Sequence, residues 1–175
     1  MLQAALVLAC AVLGVAATGQ AVCRGAGCEI VKKIVADRGA GFRSLEGPVL
    51  SRQSNHSPDE FAGKVTLPGA RRCTVEVVGS ANLYLCLFPS EPYSKMIAQF
   101  DRVSAEVKAA IPPSWVTWKN SGPGRKGAGG PAEAFRAGPT RGMPVVEIVT
   151  LMPPNKPPHL AVVIHGGGAA APVAH

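Results

Sequence analysis

The sequence contains no phosphate loop, no dinucleotide fingerprint, no HExxH pair and no EF-hand loop, so no motif points to nucleotide, nicotinamide, zincin or calcium chemistry. Neither cysteine pair has the C-x2-C spacing and no histidine lies beside one, which leaves a structural zinc site without support. A G-x-S-x-G nucleophile elbow is missing as well. Residues 1–22 carry no charged side chain. Lys, Asn, Ile and Tyr are sparse beside abundant Ala, Gly, Pro and Arg, a balance that suggests a bacterial genome rich in G and C.

The uncharged start is itself a signal. Leu6 to Ala17 is an apolar run, and small residues after it allow cleavage after Ala21 or near Ala17, so residues 1–21 are expected to be a signal peptide. A basic n-region is absent. Either the amino terminus supplies the charge or the true start lies upstream. A retained N-terminal membrane anchor is the alternative, because the uncharged stretch is just long enough to span a bilayer. Val7-Leu8-Ala9-Cys10 resembles a lipoprotein cleavage box, but leucine before the alanine is atypical and an apolar stretch after the cysteine argues against it. The expected address is extracytoplasmic, periplasmic or secreted.

Export changes the reading of the five cysteines. Cys10 falls in the signal, and Cys23, Cys28, Cys73 and Cys86 remain for disulfides in an oxidising compartment. Proximity favours Cys23 with Cys28 and Cys73 with Cys86. The second pair follows from a register count. Cys73 to Val78 and Asn82 to Phe88 read as strands, and Gly79-Ser80 between them is a two-residue hairpin signal, with glycine free to take the positive φ of a type II′ turn. If Val78 then pairs with Ala81, Cys73 falls opposite Cys86 at a non-hydrogen-bonded position, where a bridge fits. Unpaired core cysteines, or a longer loop around Asn82, are the competing readings.

Two helices are expected. Tyr93, Met96, Ile97, Phe100, Val103, Val107 and Ile111 form one apolar stripe between Pro92 and Pro112-Pro113, with Ser90 or Glu91 as cap. Ile30, Val31, Ile34 and Val35 make a shorter stripe from Cys28 to Arg38, which Gly39 closes with a left-handed cap. It is too short to stand alone and should dock on the sheet, with Phe42 and Leu45 adding contact.

Further strands are expected at Val49 to Gln53, Lys64 to Leu67, Pro144 to Leu151 and His159 to His165, with another starting at Trp115 to Lys119. Pro68-Gly69 reads as a type II turn folding Lys64 to Leu67 back on the Cys73 strand. In the Trp115 strand the two tryptophans point to opposite faces. One faces the core, while the other is a surface platform for a sugar ring or peptide, or lies under the following loop. Ser54 to Glu60 is polar and reads as a solvated loop, although His56, Asp59 and Glu60 there invite a metal or acid/base reading. Residues 120–142 are rich in Gly, Pro, Ala and Arg and read as a flexible insertion; residues 166–175 read as a disordered tail.

Val162-Val-Ile-His-Gly-Gly-Gly168 resembles the HGGG segment with which lipases and esterases build an oxyanion hole. That resemblance implies backbone donors after a strand, and it would need a nucleophile elbow downstream. The chain runs only to His175 and has none. A strand-end histidine followed by a glycine tail is the reading adopted. His159 and His165 lie too far apart along a strand to chelate one ion.

The expected fold is α+β, an antiparallel sheet of about five strands packed by two helices in the order α-β-β-β-α-β-β, in one domain over residues 22–165. Lys and Arg number 18 against 11 Asp and Glu, a net charge of +7. The charge is dispersed except around the insertion. Its Lys119, Arg125, Lys126, Arg136 and Arg141 are the candidate anion contacts. The expected function is an exported binding protein without catalytic activity or cofactor, its partner an unknown protein or an anionic envelope component. An anionic-polymer or lipid binder using residues 119–141 is one alternative. A small hydrolase with a site around His56, Asp59 and Glu60, or around His165, is another.

Overall fold

A computed structural model of the chain describes Cys23 and residues 25–52, 58–79, 81–120, 130–137, 145–152 and 157–166. The expected signal peptide lies outside the described residues. So does the expected tail, apart from Gly166. The described chain is α+β, with two α-helices and eight strands in one antiparallel sheet rather than five.

The first helix, α1 (Ala26–Asp37), buries Val31 and Ile34 on one stripe, as its spacing predicts. Gly39 is not its left-handed cap. The helix runs into a 3-10 turn, Arg38–Ala40, and the positive φ values fall on Gly41 and Phe42. A left-handed phenylalanine costs free energy. Phe42 is held there by full burial, with its ring edge-on to Tyr84 at 5.6 Å.

Next come β1 (Glu46–Ser51), β2 (Asp59–Gly63), β3 (Arg72–Val78) and β4 (Ala81–Leu87), a continuous meander. The β3–β4 register is the expected one: Val78 pairs with Ala81, Cys73 with Cys86, and Gly79 has φ 61°. Cys73 and Cys86 lie at disulfide distance with Cα atoms 4.1 Å apart, and Cys23 and Cys28 likewise at 5.7 Å. The strand expected at Lys64 to Leu67 is displaced to β2. Tyr84 explains the shift, because its hydroxyl donates to the Val65 carbonyl at 2.6 Å and accepts from the Val65 N–H at 3.3 Å. Both backbone groups that a ladder would use are satisfied by one side chain. Pro68 and Gly69 still turn the chain, closed by Ala70 N–H to the Leu67 carbonyl at 2.9 Å, with φ 83° at Gly69.

The long helix α2 (Tyr93–Ala110) buries Met96, Phe100, Val103 and Val107. Neither Ser90 nor Glu91 caps it; Pro92 occupies the N-cap without a side-chain hydrogen bond. A second meander follows: β5 (Val116–Asn120), β6 (Ala132–Arg136), β7 (Val146–Leu151) and β8 (His159–His165). Strand β6 lies inside the stretch expected to be a flexible insertion. Its only large apolar residue is the inward Phe135, and the other inward residue is Glu133, so the stretch shows no apolar alternation in the sequence.

The strand order is β1-β2-β3-β4-β8-β7-β6-β5, all antiparallel. It reads as two helix-plus-four-strand units joined edge to edge, β4 against β8, with the units' first strands at the outer edges. Strand residues in the apolar core share one parity, among them Val75, Tyr84, Cys86, Ile148, Val162 and Ile164. The same cluster contains Val31 and Ile34 of α1 and Phe100, Val103 and Val107 of α2. Both helices therefore cover the same face of the sheet, and among the described residues no helix covers the other.

Candidate functional site: the uncovered face of the sheet

Side chains of the opposite parity form that second face. One row runs across six strands as successive partners, Thr74, Leu85, Val163, Glu147, Ala134 and Trp118. The adjoining row is Arg72, Leu87, Ala161, Val149 and Ala132. Glu147 and Arg72 are the charged members of these rows. A solvated sheet face ordinarily alternates to polar residues, and here leucine, valine and alanine predominate. At the β5 edge, Trp118 and Val116 are 53% and 46% exposed on this same face.

The strand pattern explains why the face is apolar. Asn82 to Leu87 places Tyr84 and Cys86 inward and Leu83, Leu85 and Leu87 outward, so β4 has apolar residues on both sides. Of the two tryptophans, Trp115 packs against the core and Trp118 is the surface aromatic. The face's polar groups pair among themselves. His165 Nε2 lies 3.3 Å from Glu147 Oε2, and Arg72 lies 3.8 Å from Glu60. Glu76 is held above the ordinary carboxylate range, chiefly by burial and then by the neighbouring Glu60 carboxylate, against the lowering effects of the Thr74 hydroxyl and Arg72.

A second polar cluster lies on the helix side. Glu133 has a fully buried side chain, with Lys108 of α2 at 2.9 Å and Lys119 of β5 at 3.7 Å from Oε1. The Ser104 hydroxyl donates to its other oxygen. Oε1 receives no well-directed hydrogen bond, so the lysine contacts are ion pairs rather than aligned bonds. A serine, a lysine four residues on and a carboxylate resemble the parts of an activated nucleophile. Here Ser104 is 5% exposed beneath α2, and its proton is committed to Glu133. The cluster pins α2 to β5 and β6. Only the Ser104 to Lys108 helical spacing was visible in the sequence, because Glu133 sits in an alanine-rich stretch.

The residues singled out in the sequence are scattered. Lys119 points to the helix side toward Glu133, whereas Arg136 pairs with Val116 on the opposite parity. Arg125, Lys126 and Arg141 lie outside the described residues, as does His56. Asp59 and Glu60 are consecutive in β2, so their side chains leave opposite faces. His165 ends β8 as expected, and the Gly166 N–H is spent on the Asn82 carbonyl at 2.7 Å rather than facing an open site. Gly167 and Gly168 lie outside the described residues. The sulfurs of Cys23 and Cys28 are taken up by each other, so the nearby Glu29 carboxylate completes no metal set. His159 lies instead with Arg71, Arg72 and Ser90 around a small cleft at one end of the sheet, a grouping the sequence did not reveal.

No helix of the described chain is long and apolar enough to cross a membrane. Comparisons with protein-family models, curated proteins and solved structures returned no match.

Proposed function

We propose that this chain is a non-catalytic binding module of an extracytoplasmic compartment, and that it holds another protein against the uncovered face of its sheet. The observation that carries this reading is that face itself. Both helices pack on one side of an eight-stranded sheet, leaving apolar rows that end in an exposed tryptophan. Leu85, Leu87, Val149 and Val163 in these rows are half-buried and Ala134 and Ala161 are buried, while Val116 and Trp118 at the β5 edge stand exposed. Exposed apolar patches mark interaction sites, and tryptophan and arginine most often dominate interface energetics. The two cysteine pairs at disulfide distance support an oxidising compartment.

The test compares capture by the intact chain with capture by a Val116→Asp/Trp118→Asp double variant. Both positions are exposed, so the variant should fold and keep its melting temperature to within about 4 °C. The wild type should retain a specific protein from the extracytoplasmic fraction, and the variant should lose it. A control carrying Lys95→Asp on exposed helix surface should retain it. Equal retention by the double variant rejects the reading. So does a wild-type homodimer that the double variant dissolves, since the face would then serve self-association.

A further inference from the structure

One cleft of about 350 Å³ lies at the end of the sheet where β3 begins, β4 ends and β8 begins. Its walls are Arg71, Arg72, Leu87, Phe88, Ser90 and His159. Two arginines, a histidine and a serine line it beside Leu87 and Phe88, and among the described lining residues there is no Asp or Glu. We infer that this cleft binds one small anionic group, a phosphate or a carboxylate. The cleft shares Arg72 and Leu87 with the rim of the open face, but anion binding there does not require a protein partner on that face.

Backbone bonds hold the walls in place. Arg71 N–H donates to the Leu87 carbonyl at 2.8 Å, Phe88 N–H to Leu160 at 2.9 Å, and Glu91 N–H to Pro158 at 3.3 Å. The backbone from which the donors project is thus anchored, while the Arg71, Arg72 and Ser90 side chains themselves stand exposed. The volume is near the lower end for ligand pockets and suits one charged group rather than a large cofactor.

Charge in the surroundings distinguishes the two arginines. Arg72 faces Glu60 at 3.8 Å and also acts on Glu76, so part of its charge is already answered. Arg71 makes no ion pair among the described residues. Its planar fork matches the oxygens of phosphate and carboxylate two at a time, and it is weakly hydrated enough to release its water. Arg71, Arg72 and Ser90 are exposed, so these contacts are screened by salt and should weaken as ionic strength rises. Arg71 is therefore the principal anchor, with His159 and Ser90 donating from the side and Arg72 tethered by its acidic neighbours.

The experiment is an NMR titration of the intact, oxidised protein with sodium phosphate and, separately, sodium acetate, against sodium chloride at matched ionic strength. Saturable shifts are expected at Arg71, Arg72, Ser90 and His159. Arg71→Ala should weaken binding at least about tenfold, His159→Ala less, and Arg71→Lys should restore only part of the loss. Saturation by phosphate alone identifies a phosphate-bearing ligand; saturation by acetate alone or by both identifies a carboxylate or a shared site. Shifts that chloride reproduces, or that Arg71→Ala leaves unchanged, overturn the inference.

Discussion

The two halves of the sheet share a topology and are held together by different chemistry. In the first, Cys73 and Cys86 join neighbouring strands and Cys23 and Cys28 close the approach to α1. The second half has no cysteine, and Ile148 and Val162 are paired in its central hairpin. Its polar fastening is Glu133, which draws Ser104, Lys108 and Lys119 onto one buried carboxylate. A covalent staple acts by restricting the unfolded chain, whereas a buried carboxylate acts only while its partners surround it. The same arrangement of strands can thus be redox-dependent at one end and ion-dependent at the other.

Breaking the larger staple should cost most. Reducing Cys73–Cys86 releases a loop closed across a sequence separation of 13 residues, which should lower unfolding stability by about 3 kcal/mol. Urea unfolding of the oxidised protein against a Cys73→Ala/Cys86→Ala variant measures it. The Cys23–Cys28 loop, with a separation of 5, should account for about 2 kcal/mol by the same relation.

Glu133→Ala strikes the other half. Both lysines reach water, with side-chain exposures of 40% and 67%, so the loss should be about 2 kcal/mol rather than the ~3–5 of a fully buried pair. The staple and the carboxylate are separated by three strand spacings, roughly 14 Å. Cys73→Ala/Cys86→Ala and Glu133→Ala should therefore add to within about 0.5 kcal/mol in urea unfolding. A marked departure from additivity would show that the halves are not fastened separately.

The smallest effect has the opposite sign. Glu76 in β3 titrates above its ordinary value in the fold, so the folded state binds a proton there more readily than the unfolded chain. Its strain is absent below the unfolded carboxylate value and grows as pH rises through the raised folded one. Glu76→Gln should accordingly stabilise the protein at neutral pH by less than about 1 kcal/mol, and flatten the pH dependence over that window. The gain should vanish at low pH. Thermal unfolding across the acid range measures both.

These contrasts also explain what could be read in the sequence. The Cys73–Cys86 register was legible because a two-residue turn fixes it locally, with no need for distant contacts. Strand β2 was misplaced because the group that satisfies Val65 is Tyr84, far along the chain. Strand β6 was hidden because its inward residue is an acid whose partners sit on α2 and β5. The Trp115 and Trp118 spacing foretold that one would be exposed, but only the pairing with β6 decides which face Trp118 joins. The apolar outer residues of β4 were visible all along. Their meaning depends on which side the helices take, and long-range packing decides that.

A site-specific photo-crosslinker separates the two sides of the sheet most directly. Trp118 on the open face and Tyr93 on the helix layer are nearly equally exposed, at 53% and 52%. Placed at Trp118 in the full chain, the probe should give a discrete adduct with a partner protein in its native compartment, and at Tyr93 it should give none. An adduct at Tyr93 with none at Trp118 would contradict the account.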